Sequence, residues 1–289
     1  MRQAGIRGVP SALLAPSLIV IFLFVMVPIL LVLLYSFKSG LGPRSVDTAL
    51  TLRSWKEFFS DSYYFSTLLD TFQLALVTTL LCLVFGFIPA LVLSRMSSRL
   101  RWLLVIALFL PSWIASLVRT MSWISVLGRN GVVNTLLMEA GIIEAPMRLL
   151  YNDLSVYLGM VHTVLPLMIL NIFIGLQAVD RNVVDAARTL GATQWQAFWA
   201  VTWPLTLPSV YAGCMLCFII TSGAYVVPML LGGAGTNFYP NLIFEAIIKQ
   251  LDWPMGAALS IVFIVFVGGA IALYGRYMGI SSLLREARS

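Results

Sequence analysis

The stretch that decides the fold is Val179-Asp-Arg-Asn-Val-Val-Asp185-Ala-Ala-Arg-Thr-Leu-Gly191-Ala-Thr-Gln-Trp195-Gln-Ala-Phe-Trp-Ala-Val201-Thr-Trp-Pro204-Leu-Thr-Leu-Pro208. Asp180 is a suitable N-cap for a short helix running to Leu190. Gly191 follows where a helix end favours a left-handed residue. Thr193-x-x-Gln196 then has the spacing of a capping box and opens a second helix. Pro204 and Pro208 are expected to end that helix and start the next apolar run, because proline lacks the N–H that a helix interior needs. The stretch therefore reads as a helix-turn-helix elbow. It lies between two long apolar runs, about 154–177 and 207–231.

Those runs are two of six. Of the 289 residues, 60% are hydrophobic and only 10% are charged, against roughly 25% charged in a soluble domain. This excludes a water-soluble globule, a disordered chain and a disulfide-stapled mini-fold. A bilayer core takes about 20 apolar residues per helix. The expected spans are about 12–37, 68–94, 102–127, 154–177, 207–231 and 256–277, with the elbow at about 178–206. They fill the chain as a single all-α transmembrane domain over 1–289 and leave no room for a separate catalytic domain. The first run is too long for a cleaved signal peptide and reads as a retained span. No stretch alternates with period two as a β-barrel strand does. The outer loops, about 38–67, 128–153 and 232–255, are long and rich in glycine, proline and aromatics, and are expected to carry short interfacial or re-entrant helices.

Charge fixes the orientation. Alternate connections gather Arg2, Arg7, Arg95, Arg99, Arg101, Arg181, Arg188, Arg276, Arg285 and Arg288 on one side, against only Asp180, Asp185 and Glu286. The other side holds the remaining eight basic and nine acidic residues. The positive-inside rule puts both termini and the elbow in the cytoplasm. The net charge of +6 is thus a topology signal and not a nucleic-acid signal.

The elbow itself combines small residues, Ala186, Ala187, Gly191 and Ala192, with a charged pair, Asp185 and Arg188. Two readings stand open from composition. One is an interfacial helix lying on lipid headgroups. The other is a docking surface, where small side chains let another protein approach the backbone and the charges fix its register. A DNA-binding helix-turn-helix is excluded by the membrane setting.

Few polar groups lie within the runs. His162 and Asn171 suit either a solute pathway or interhelical hydrogen bonds. Gln73, Thr221, Ser222 and Tyr225 are weaker candidates of the same kind. Arg119, flanked by Trp113 and Trp123, can snorkel to headgroups or face the pathway, where it would disfavour a polycation. Asp70, Glu245 and Asp252 read as solvated loop charges on the outer side, or as partners for a cation. Cys82, Cys214 and Cys217 read as packing residues. A single histidine with no acidic or thiol companions builds no metal site, and no nucleophile–base arrangement stands out. There is no phosphate-binding G-x-x-x-x-G-K-[ST] loop, so any nucleotide chemistry must reside on another chain.

The pattern Asp185-Ala-Ala-x3-Gly191-x9-Val201-x-Trp203-Pro204 resembles the E-A-A-x3-G-x9-I-x-L-P loop of inner-membrane permease subunits of binding-protein-dependent ABC importers. Asp185, Val201 and Trp203 depart from the family residues. Leu127-Gly-Arg-Asn-Gly-Val-Val-Asn134, Leu158-Gly-Met-Val-His162, Leu230-Leu-Gly-Gly233, Asn241-Leu-Ile243 and Asp252-Trp-Pro254 are similar to blocks of the spermidine/putrescine-type permeases. The resemblance implies a type I ABC importer permease fold in the bacterial inner membrane. It also implies a second homologous permease subunit, two ATPase subunits holding ATP and Mg, and a periplasmic substrate-binding protein. Asp185, Ala186, Ala187, Arg188, Gly191 and Ala192 would couple to the ATPase. Trp113, Arg119, His162, Asn171 and Tyr225 would be pathway candidates. The chain itself would bind no cofactor and catalyse no reaction. A polyamine is the first expectation for the solute; choline-like cations, amino acids, opines, phosphonates and ferric iron are the alternatives. An ion-coupled secondary transporter is the remoter rival, and it lacks a visible internal repeat. A membrane enzyme is disfavoured by the absence of paired carboxylates.

Overall fold

The computed structural model describes residues 11–39, 49–233 and 235–286. Arg2, Arg7 and Arg288, which contribute to the charge asymmetry, lie outside them. In chain order the helices are α1 (Ser11–Tyr35), α2 (Arg53–Ser60), α3 (Ser62–Arg95), α4 (Ser98–Phe109), α5 (Ser116–Leu127), α6 (Val132–Glu139) and α7 (Asp153–Ala178). They continue with α8 (Arg181–Thr189), α9 (Gln194–Ala197), α10 (Trp203–Ser222), α11 (Val226–Leu231), α12 (Tyr239–Phe244) and α13 (Trp253–Glu286). Among the described residues four helical stretches are long and apolar enough to cross a bilayer: α3, α7, the continuous α9–α10 stretch and α13. The segments Ser98–Trp113 and Ser116–Glu139, bent by 93°, make a fifth if the pair is one span. Helix α1 has 25 residues and two internal prolines, Pro16 and Pro28. Its side chains from Ile19 to Leu34 are largely exposed, as a lipid-facing helix requires.

The chain forms two compact units. One comprises the described residues within 1–64 and 242–273. There a bridge between Lys38 and Leu50 returns the chain from α1 to α2. Trp55 Nε1 donates to Ser36 Oγ at 3.2 Å and its ring stacks on Phe37. Asp252 is not a solvated loop charge. Its carboxylate accepts from the Met255 N–H at 3.0 Å, capping α13, and faces Arg53 at 3.6 Å. An anion is favoured there by the four unpaired N–H groups of the helix start.

The second unit comprises the described residues within 65–241 and 274–286. Its centre is the packing of α7 on α10, the most extensive helix pair. A Cβ on Gly175 would lie 2.6 Å from Ser209 Cβ, so the two backbones approach as closely as small residues permit. Cys82, Val164, Met168, Ile172, Val210 and Cys217 fill the core around this crossing. The three cysteines are free thiols, with Cys82 and Cys217 fully buried.

Two spans differ from the sequence expectation. The third is not one helix over 102–127: α4 runs into a 3-10 turn at Leu110–Trp113, and α5 leaves at 93°. Pro111 supplies no N–H, and the residue preceding a proline is disfavoured in helical geometry. The fifth is not one helix over 207–231 either. It stops at Ser222, turns through Gly223 and Ala224, and resumes as α11, which packs on α5 and α7. Both breaks are absent from hydropathy because the residues that make them are themselves apolar or small.

Candidate functional site

The elbow forms as its sequence dictates. Asp180 Oδ1 accepts from the Asn182 N–H at 2.9 Å and starts α8. Leu190 N–H bonds Ala186 O, Gly191 N–H bonds Arg188 O and Ala192 N–H bonds Ala187 O, closing its end. Gly191 adopts φ +91°, a conformation that costs other residues roughly 1–2 kcal/mol. Thr193 and Gln196 exchange the two bonds of a capping box, opening α9. Each end is thus satisfied locally, and the elbow keeps its shape without borrowing partners from elsewhere.

Pro204 and Pro208 do not end the second helix. It continues through a π-helical turn, Phe198–Thr202, into α10 as one stretch from Gln194 to Ser222. A proline ring collides with the carbonyl four residues back in a regular α-helix. Widening the preceding turn relieves that collision and lets the stretch continue. The elbow is therefore continuous with the span that follows it.

The outer surface of the elbow is open. Ala186 and Gly191 are exposed, and Ala187 and Ala192 are half-buried. Asp185 and Arg188 face each other at 4.0 Å with both side chains in solvent, so their attraction contributes little to stability. Leu190, which composition did not single out, is 89% exposed at the tip. Val183, Ala187 and Leu190 recur at helical spacing and form an apolar stripe along α8. That periodicity was the available signal. The exposed Leu190 makes the tip of the elbow a candidate contact surface.

The membrane candidates separate into two groups. Trp123 on α5 donates from Nε1 to His162 Nδ1 on α7 at 3.3 Å, with the rings edge-on. Arg119, one turn before Trp123, turns its guanidinium back to Pro111 O at 3.4 Å. There it meets the carbonyl end of the α4 segment, where a cation is favoured. Arg119, Trp123 and His162 are thus brought to one region. Asn171 lies nine residues beyond His162, about 13 Å along the helix axis. Its amide donates to Leu167 O of its own helix at 2.8 Å, and it packs against Gly213. Trp113 stands apart, 85% exposed at the α4–α5 break. Tyr225 sits at the start of α11, its carbonyl accepting from Asn241 Nδ2 at 3.3 Å.

The outer-loop block 127–134 has a structural role that sequence reasoning missed. Asn134 is fully buried, donates to Gly128 O and Met147 O at 3.0 Å each, and accepts from the Met147 N–H at 2.9 Å. One side chain pins the loop before α6 to the loop after it.

Comparison with known proteins agrees with this geometry. Residues 82–279 match the family of binding-protein-dependent transport system inner membrane components. The spermidine/putrescine transport system permease protein PotB of Haemophilus influenzae is 34% identical over 88% of each chain. PotB of Escherichia coli is 33% identical over 88% of this chain and 92% of its own. A bacterial ABC transporter for the acidic polysaccharide alginate superposes with a TM-score of 0.69 at 17% identity, covering 92% of this chain and 94% of its own. The same system bound to its periplasmic protein gives 0.71 at 15% identity, covering 91% of each chain. The family match and these relatives place the chain in the permease class of ABC importers. This chain belongs to the family of binding-protein-dependent transport system inner membrane components, with PotB-type permeases among its relatives. It is a transport subunit and not an enzyme.

Proposed function

We propose that the chain is one of two homologous permease subunits of an ATP-driven importer in the bacterial inner membrane, and that its solute is a polyamine. The observation that carries the ATP-driven reading is the elbow: locally capped, exposed, tipped by Leu190 and continuous with α10. On this reading Asp185, Ala186, Ala187, Arg188, Gly191 and Ala192 form the docking surface for a separate ATPase subunit, which holds ATP and Mg. The six spans are α1, α3, the α4–α5 pair, α7, the α9–α10 stretch and α13, built as one domain with both termini cytoplasmic. A periplasmic binding protein delivers the solute to the opposite face.

Closure of two ATPase subunits draws the two elbows together. The push passes through the π turn into α10 and, across the tight α7–α10 packing, into α7. The bundle then shifts between discrete packed states, as alternating access requires. His162, Asn171 and Tyr225 are the pathway candidates, with Trp113 and Arg119 at the bend. The identity to PotB permeases supports a polyamine. Arg119 keeps its positive charge where it bonds Pro111 O, so a polycation is compatible with it only if that guanidinium lies off the pathway.

The test is uptake of labelled spermidine and putrescine in cells lacking their own polyamine importers, supplied with this chain and its neighbouring transport genes. Saturable, vanadate-sensitive uptake is expected. Robust uptake of a different solute by the same cells would replace the polyamine while keeping the importer class. Uptake insensitive to vanadate and to loss of the ATPase would overturn the class.

A further inference from the structure

Behind the elbow, two cavities share a wall. The larger, about 720 Å³, runs between α3 and the α9–α10 stretch. Trp195, Trp199 and Trp203 line it at four-residue spacing, so they share one helix face over about 12 Å. Their rings follow one another at 5.5 and 5.6 Å. Phe87 closes the opposite side against Phe198 and Trp203 at 6.0 and 5.4 Å. The groove opens beside the face of α3 that carries Val84, Phe85, Ile88 and Val92, all exposed and apolar.

The smaller cavity, about 420 Å³, lies in the crook of the elbow. Arg95 from the end of α3 and Arg181 and Arg188 from α8 line it, with Gln177, Gln194 and Thr202 as further polar groups. No acidic residue lines either cavity. Asp185 reaches Arg188 from outside at 4.0 Å, leaving Arg95 and Arg181 for another anion. Leu91, Arg95, Gln194 and Phe198 belong to both cavities, so the cationic crook opens onto the aromatic groove.

A pocket that is cationic at one end and aromatic along its length, at the edge of a lipid-facing helix, has the complementarity of a two-part ligand. We infer that it holds an anionic phospholipid, with the phosphate between Arg95 and Arg181 and one acyl chain along Trp195, Trp199 and Trp203. Basic pockets between membrane helices take anionic headgroups by this chemistry, and tryptophan favours the interface where headgroup meets chain. The lipid would tie the end of α3 to α8. The elbow's position would then depend on the anionic lipid content of the leaflet it faces. That leaflet is cytoplasmic on the orientation proposed above; the binding chemistry does not depend on it.

The assembled transporter, purified with its ATPase and partner permease, can be titrated with dioleoylphosphatidylglycerol or dioleoylphosphatidylcholine and read by native mass spectrometry. Retention needs no transport, so a wrong solute leaves this test intact. The glycerol lipid is expected to be retained more tightly than the choline lipid. Arg95→Gln and Arg181→Gln should each weaken the glycerol lipid about fivefold and leave the choline lipid unchanged. Trp199→Ala should weaken both lipids alike, and Arg148→Gln, in the loop before α7, neither. A photoreactive amino acid at position 199 should cross-link lipid. Equal retention of the two lipids by the wild type overturns the inference. So does displacement by glycerol phosphate without acyl chains, which would mark a simple anion site. Cross-linking of position 199 to a protein subunit also overturns it, by assigning the groove to a subunit contact.

Discussion

At the scale of single residues, Gly191 and Asn134 carry the clearest consequences. At φ +91° Gly191 has nothing within 4 Å of where a Cβ would stand, so a substitution there acts through backbone strain and not through collision. Gly191→Val should cost roughly 1–2 kcal/mol locally and shift Leu190 and Ala192 on the docking surface. Normal insertion is expected, with uptake lowered about 5- to 30-fold for a displacement of that energy, and with stimulation of the ATPase by loaded binding protein lost. Unchanged stimulation in the reconstituted complex would remove Gly191 from the coupling surface. Asn134 works by a different logic. Its amide satisfies two carbonyls and one N–H at once, and removal leaves buried backbone groups unpaired at about 1–3 kcal/mol each. Asn134→Ala should therefore lower stability in detergent by at least about 2 kcal/mol. Asn134→Asp should be nearly as harmful, because it keeps the acceptor but loses both donors. Denaturant midpoints of the two variants decide this; an Asp variant as stable as wild type would mean the donated bonds are dispensable.

At the scale of elements, what the sequence showed and what it hid follow from the range of the interactions involved. The elbow was legible because Asp180, Gly191, Thr193 and Gln196 act on backbone groups within three residues of themselves. The long spans were legible because 20 apolar residues leave few other choices. The breaks at Pro111 and Gly223 were not, since a membrane helix often absorbs a proline or glycine and only packing against neighbours decides whether it bends. The continuation through Pro204 was hidden for the same reason: the π turn that accommodates it has no composition of its own. The Trp123–His162 bond joins residues 39 positions apart, which no local pattern reports. The α7–α10 crossing lies in between. Its small residues are visible in sequence, but their pairing is not. Gly175 meets Ser209 and Gly213 meets Met168 and Asn171 across that crossing. Gly175→Leu should force the helices apart, at a cost of about 1–3 kcal/mol or more. Because α10 continues the elbow, it should also reduce uptake beyond the loss of protein. Uptake per molecule in the membrane separates the two effects, and a purely proportional loss would show that this crossing does not transmit motion.

At the scale of the whole molecule, the strongest constraint is the charge asymmetry between the two sets of connections. Ten basic residues against three acidic ones on one side is a large bias, and charge of that sign is retained in the cytoplasm during insertion. The elbow and the arginine-lined crook behind it belong to that basic set, and the ATPase-docking role proposed for the elbow requires the cytoplasmic side. On the proposed topology the remaining connections, which include α2 and α6, face the binding protein. The arrangement is open to a direct test because the three native cysteines lie in apolar helices, two of them fully buried, so background labelling by a membrane-impermeant thiol reagent should be low. Leu190→Cys places a thiol at the exposed elbow tip, and Ile142→Cys places one on the loop after α6, where the side chain is 68% exposed. In right-side-out vesicles Ile142→Cys should be labelled and Leu190→Cys protected; in inverted vesicles the pattern should reverse. Adding the ATPase to inverted vesicles should then protect Leu190→Cys again while leaving total protein unchanged. Labelling of Leu190→Cys from outside would invert the topology and, with it, the assignment of the elbow to a cytoplasmic motor. Correct sidedness without protection by the ATPase would keep the topology and move the docking contact elsewhere on that face.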